Sequence, residues 1–98
     1  MTRQIVLEVN GVPIPLDYFT QTFLDHTIGG MLEALEETTT IKTLALFVND
    51  GQLSVVLNSN KVRTNEFVTR IIIGTITGMI SSLKGVTDIS KIHISLSR

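Results

Sequence analysis

The side chains suited to chemistry are few: two histidines, a glutamate cluster, a glycine pair and three basic residues. His26 and His93 would serve as metal ligands or proton carriers if a second ligand stood at the right spacing. Neither lies in an H-x-x-x-H or H-x-E pattern, so both read as solvated surface residues. His93 retains the capacity for a pH-sensitive contact. Glu33, Glu36 and Glu37 gather near a helix C-terminus, where the helix dipole disfavours them, and read as a solvated face. Gly29-Gly30 falls inside a helical pattern rather than in the strand-to-helix loop that cradles phosphate. Lys61, Arg63 and Arg70 lack the interleaved aromatics of an RNA-binding sheet. No Ser-His-Asp arrangement is assignable. The expectation is therefore no catalytic residue, no cofactor and no metal, with a non-enzyme favoured over an enzyme.

The totals narrow the class further. Ninety-eight residues suit one domain, 1–98. Eight basic against nine acidic side chains give a net charge of −1, which offers no general attraction to nucleic acid or anionic lipid. Charged residues make up only 17%, fewer than stable monomers carry on their surfaces, which points to a surface covered by another subunit. There is no cysteine, so disulfide and thiolate chemistry are excluded. Met1-Thr2-Arg3 leads straight into a strand-like run without a signal-peptide core. The most apolar stretch, Phe67 to Leu83, is short of the roughly 20 residues a bilayer span needs, carries Arg70, and reads as a buried helix. A cytoplasmic protein without membrane contact is expected.

The elements that hold these residues come in two copies. Shifted by 48 positions, residues 4–50 fall on 52–98 without a gap, and ten of the 47 pairs are identical, where chance gives roughly three. The identities include Asn10/Asn58, Phe19/Phe67 and the Thr-Ile-x-Gly-Met run at 27–31 and 75–79. In each unit a strand (Ile5 to Val9 in the first) precedes a short second strand, a helix and a closing strand. Asn10-Gly11 marks a type I′ turn. Val12 to Pro15, with two prolines, can serve only as an edge or a lead-in. Asp17 is placed to cap a helix running to about Glu37; Asn65, or Thr64, does so in the second unit. Thr38-Thr39-Thr40 breaks the first helix and Gly85 ends the second. The closing strands run Ile41 to Val48 and Ile89 to Ser97. Asp50-Gly51 joins the units as a hairpin that opposes Val48 with Leu53, Leu46 with Val55 and Leu44 with Leu57.

This pattern predicts an α+β two-layer sandwich. It is a tandem duplication of a β(β)αβ unit, with a ferredoxin-like-type antiparallel sheet and two helices on one face. If residues 12–15 pair beside 5–9, that edge is taken, and a different ββαβ duplicate fits better. Alternation turns Leu44, Leu46, Val48, Ile92, Ile94 and Leu96 inward. The opposite sheet face then carries Val6, Ala45, Phe47, Val56 and His93, a semi-apolar surface suited to a partner. The apolar arc of the first helix, Phe19, Phe23, Leu24, Ile28, Met31, Leu32, Ala34 and Leu35, is wider than a sheet contact requires. The second is wider still, since Ile73 stands where Asp25 occupies the polar side. Thr27, Gly30, Thr75 and Gly78 form a small-residue stripe that predicts close helix packing.

Two stretches carry a family likeness: Val9-Asn10-Gly11-Val12-Pro13-Ile14-Pro15-Leu16-Asp17-Tyr18-Phe19 and Gly78-Met79-Ile80-Ser81-Ser82-Leu83-Lys84-Gly85-Val86. They resemble a family of short uncharacterised prokaryotic α/β proteins, with a V-N-G-x-x-(I/V)-P-L-(N/D)-x-F opening and a G-M-(I/V)-x-S-L-K-G close. The first copy departs at the close, with Glu36-Glu37, and the second at the opening, with Lys61 and Arg63 for the prolines. The resemblance implies no activity. It implies that one unit was once a free-standing chain that dimerised. The expected function is a self-associating interaction module, a homo-oligomer with a dimer as first expectation, or a module that docks on a protein partner. The alternative is a small-ligand regulatory domain whose groove between the units is marked by repeat-matched polar residues such as Asn10/Asn58 and Thr27/Thr75.

Overall fold

Alternating apolar residues build the sheet, and the 3.6-residue apolar period builds the helices that cover it. The computed structural model describes residues 4–35, 40–83, 86 and 88–98. In chain order the elements are β1 (Gln4–Val9), β2 (Val12–Pro13), α1 (Tyr18–Leu35), β3 (Thr43–Asn49), β4 (Gln52–Leu57), β5 (Asn60–Val62), α2 (Glu66–Ile80) and β6 (Lys91–Ser97). One antiparallel sheet takes the order β2-β1-β6-β3-β4-β5. Exchanging the two halves of the chain reverses this order without changing it. Each βαβ crossover is split by a strand of the other half, β6 lying between β1 and β3, and β3 between β4 and β6.

The hairpin at 50–51 has the expected register, with Val48 opposite Leu53, Leu46 opposite Val55 and Leu44 opposite Leu57. Asp50 and Gly51 both take positive φ, as do Asn10 and Gly11. Residues 12 and 13 pair with Val9 and Glu8, so the outer edge of β1 is taken, and each half is ββαβ. The long strands run β1-β6-β3-β4, with the closing strands of the two units at the centre. This order differs from the ferredoxin-like expectation, which centres the opening strands. β2 and β5 are only two and three residues long, and such short outer strands blunt the edges of the sheet against further pairing.

The core is one aliphatic layer between sheet and helices. Its nineteen buried hydrophobic residues, among those described, are all Ile, Leu or Val. Rows across the sheet supply it, such as Leu7–Ile94–Leu46–Val55, and Leu24, Ile28, Leu32, Ile72, Ile76 and Ile80 close it from above. Burying each such side chain contributes about 1.5–3 kcal/mol.

The helices begin as expected. Asp17 Oδ1 accepts the Thr20 amide hydrogen at 2.8 Å, which holds its carboxyl below the usual aspartate range. Asn65 Oδ1 accepts from the Val68 amide at 2.8 Å, so Asn65, and not Thr64, caps α2. Their ends differ from expectation. α2 stops at Ile80, where Ser81 closes the last turn and its hydroxyl donates to the Gly78 carbonyl, five residues before Gly85. Gly85, Glu36, Glu37, Thr38 and Thr39 lie outside the described residues. Nor is α2 buried all round, because Phe67 and Ile71 face outward.

Candidate functional site

The five residues expected to form an interface meet on the uncovered face of the sheet. Register sets Val6, Ser95, Ala45 and Val56 in one row, and Glu8, His93, Phe47 and Ser54 in the next. The Phe47 ring stacks on His93, centroids 4.3 Å apart and planes 9° from parallel. His93 Nδ1 lies 3.4 Å from Glu8 Oε1 on the other side. Val6 and Phe47 are the exposed large hydrophobics of this face, and serines and Glu8 interrupt them.

The helix layer carries more. All five aromatic residues of the chain lie outside the core, from 42% exposed at Phe47 to 84% at Tyr18. Four of them, Tyr18, Phe19, Phe23 and Phe67, are on the helices, with Ile71 beside them. Phe19 and Phe23, expected in an apolar arc wider than a sheet contact requires, stack on each other in the open at 5.8 Å. The reason is geometric: Leu24, Ile28 and Leu32 already fill the sheet-facing arc, and positions 19 and 23 fall to its side.

The small-residue stripe does not pack the helices together. A Cβ placed on Gly30 or Gly78 would meet no atom of the described residues within 4 Å, and both glycines are exposed. Thr27 and Thr75 are half-buried. The expected close helix packing at Thr27, Gly30, Thr75 and Gly78 is thus corrected, because the helices rest on the sheet and leave an open groove. The start of α1, the end of α2 and the turn after it line this groove of about 490 Å³ with Phe19, Thr20, Phe23, Gly78, Met79 and Ser82. A glycine in a helix interior costs about 1 kcal/mol relative to alanine. Among the described residues no close contact offsets that cost at Gly30, Gly74 or Gly78.

Two polar features escaped the sequence reading. Asp25 is not on a polar side: it is 1% exposed, and Arg98 meets it through Nη2 at 2.8 Å and Nε at 2.9 Å. Gly29 makes room for that guanidinium, since a Cβ there would come within 2.7 Å of Arg98 Nη2. The second feature is reciprocal. Asn10 Oδ1 accepts from the amides of Ser90 and Lys91, and its Nδ2 donates to the Asp88 carbonyl. Asn58 Oδ1 accepts from the amides of Lys42 and Thr43, and its Nδ2 donates to the Thr40 carbonyl. Each asparagine therefore ties its own half to the lead-in of the other half's closing strand, at positions 48 apart in sequence. Asn10 and Asn58 are committed to the fold and do not line the groove, although the repeat alignment of the two asparagines was a signal that could have found this lock.

Among the described residues no group of three His, Cys, Asp or Glu is placed to hold a metal ion, and no helix is long and apolar enough to cross a membrane. A comparison with protein-family models, with curated proteins and with solved structures finds no match to this chain.

Proposed function

We propose that this chain is a non-enzymatic module that self-associates through a broad face of its two-layer slab. The observation that carries the reading is the placement of every aromatic side chain outside an all-aliphatic core. Aromatic residues bury large areas at small entropic cost and dominate the energetics of interfaces. A core this aliphatic has no use for them. The slab measures 36 × 34 × 18 Å, so its faces are wide, while its sheet edges are blunted by β2 and β5. Face-to-face association is the remaining route.

The reading includes an origin by tandem duplication of one ββαβ unit. It is supported by the gapless repeat, by a strand order unchanged on exchanging halves, and by the reciprocal Asn10 and Asn58 bonds. In a free-standing unit the same bonds would hold two copies together.

Native mass spectrometry of the purified protein tests the reading. A dimer or higher multiple of the 10.8 kDa chain is expected, and a monomer at every concentration overturns it. Phe47→Glu then separates the surfaces: dissociation would assign the interface to the sheet face, and an unchanged assembly assigns it to the helix layer. A second reading, a small apolar ligand in the groove beside Phe19 and Gly78, is favoured by that groove's size, which is in the range of ligand pockets. A reproducible added mass in the same spectrum would support it.

A further inference from the structure

The outward ridge of α2 reads Phe67, Ile71, Gly74, Gly78, at spacings of four, three and four residues, and all four are exposed. These spacings place them in one line along the helix. The order is two large side chains followed by two absent ones. Turned end for end, the line is its own complement: where Phe67 meets Gly78, Ile71 meets Gly74, and the same two contacts recur on the other side of a two-fold axis. In that register Arg70 falls opposite Thr75 and Glu66 opposite Met79, so no like charges meet. We propose that this ridge is a seam that pairs antiparallel with α2 of a second copy of this chain, Phe67 and Ile71 of each seating over Gly78 and Gly74 of the other.

The proposal rests on the self-association reading and accounts for what that reading leaves open. Among the described residues no atom lies within 4 Å of a Cβ position at Gly74 or Gly78, so the ridge there is open to a second copy. An isologous interface needs the same patch on both subunits, and a ridge complementary to itself supplies one. Helices that meet over glycine approach closely, as ridges enter grooves. Phe19 and Phe23 of α1 lie beside the Gly78 end of this ridge, and with Phe67 and Ile71 they expose roughly 470 Å² if each side chain offers about 200 Å² when bare. This apolar patch is more than half of the roughly 800 Å² per partner that a standard interface buries. α1 is the lesser half of the surface: its matching ridge is Phe19, Phe23, His26, Gly30, and His26 fills the place that Gly74 leaves empty.

The test is sedimentation equilibrium of the full chain and of the double variant Gly74→Leu/Gly78→Leu, with circular dichroism as the folding control. Leucine favours helix over glycine, so the variant keeps or gains helicity. Its dimer should weaken by at least roughly 100-fold in Kd. A second variant, Phe67→Ala/Ile71→Ala, should weaken it from the opposite side of the contact. A glycine-filled variant that dimerises with wild-type affinity overturns the seam. If the wild type dimerises and only Phe47→Glu dissociates it, self-association stands and the seam falls. A wild type that stays monomeric overturns both, and a bound small molecule lost from the glycine-filled variant would assign the ridge to that ligand instead.

Discussion

The two helices sit at equivalent places in a symmetric sheet, yet they differ in a consistent way. Their sheet-facing residues match almost one for one: Leu24 with Ile72, Ile28 with Ile76, Leu32 with Ile80, all buried. Their other faces differ. α1 buries Asp25 against Arg98 and keeps Gly29 for the guanidinium, while α2 has Ile73 and Thr77 at those positions. α1 exposes His26 where α2 exposes Gly74. The contrast separates what the fold demands from what it permits. A close-packed core tolerates little change in volume, and the two halves fill it with matching side chains. The outward positions are free of that constraint and record whatever each helix touches.

The largest expected effects lie where the helices agree. Ile28→Ala and Ile76→Ala, both fully buried, should each destabilise the fold by about 3–4 kcal/mol in urea titration. A large gap between the two would break the equivalence of the halves. Next comes the asymmetric pair. Arg98→Ala leaves the Asp25 carboxylate buried without this partner and should cost about 3 kcal/mol, against about 1–2 kcal/mol for Ile73→Ala at the matching place. Equal losses would show that the ion pair adds nothing beyond packing.

The asparagine lock should be symmetric. Asn10→Ala and Asn58→Ala each strand several backbone groups near solvent and should cost about 1–2 kcal/mol apiece. The caps differ in their response to acid. Asp17 has its carboxyl lowered by the Thr20 amide, so its contribution is present above the unfolded aspartate value of about 3.9 and is lost as pH falls through the lower folded value. Asn65 has no such dependence. Its loss in Asn65→Ala should cost about 1 kcal/mol at any pH, and on acidification the capping bond of α1 should weaken while that of α2 persists, read by hydrogen exchange at Thr20 and Val68. The smallest effect concerns the turns. Ser59 takes φ +70° where Gly11 stands in the first half, and Ser59→Gly should stabilise by about 0.5–1 kcal/mol.

What the sequence made legible follows from local chemistry and period. Asp50-Gly51 and Asn10-Gly11 gave turns, the alternation from Leu44 to Val48 gave the register, and Asp17 and Asn65 gave the helix starts. Strand order was not legible in the same way, because β6 inserts between β1 and β3 through contacts far apart in the chain. Asp25 was misread because its partner is 73 residues away and helical period alone sets Asp on the polar side. The outward position of Phe19 and Phe23 was not legible, because an apolar arc does not say which of its members reach the sheet. The glycine stripe was recognised as small but not as outward, a distinction that depends on where the neighbouring helix lies.

In the proposed dimer the aromatic helix layer holds the two copies together. Sedimentation equilibrium of the wild-type chain beside Gly74→Leu/Gly78→Leu tests it most directly. The account predicts a wild-type dimer of twice 10.8 kDa and a folded, monomeric variant. A variant that remains dimeric with unchanged affinity contradicts it.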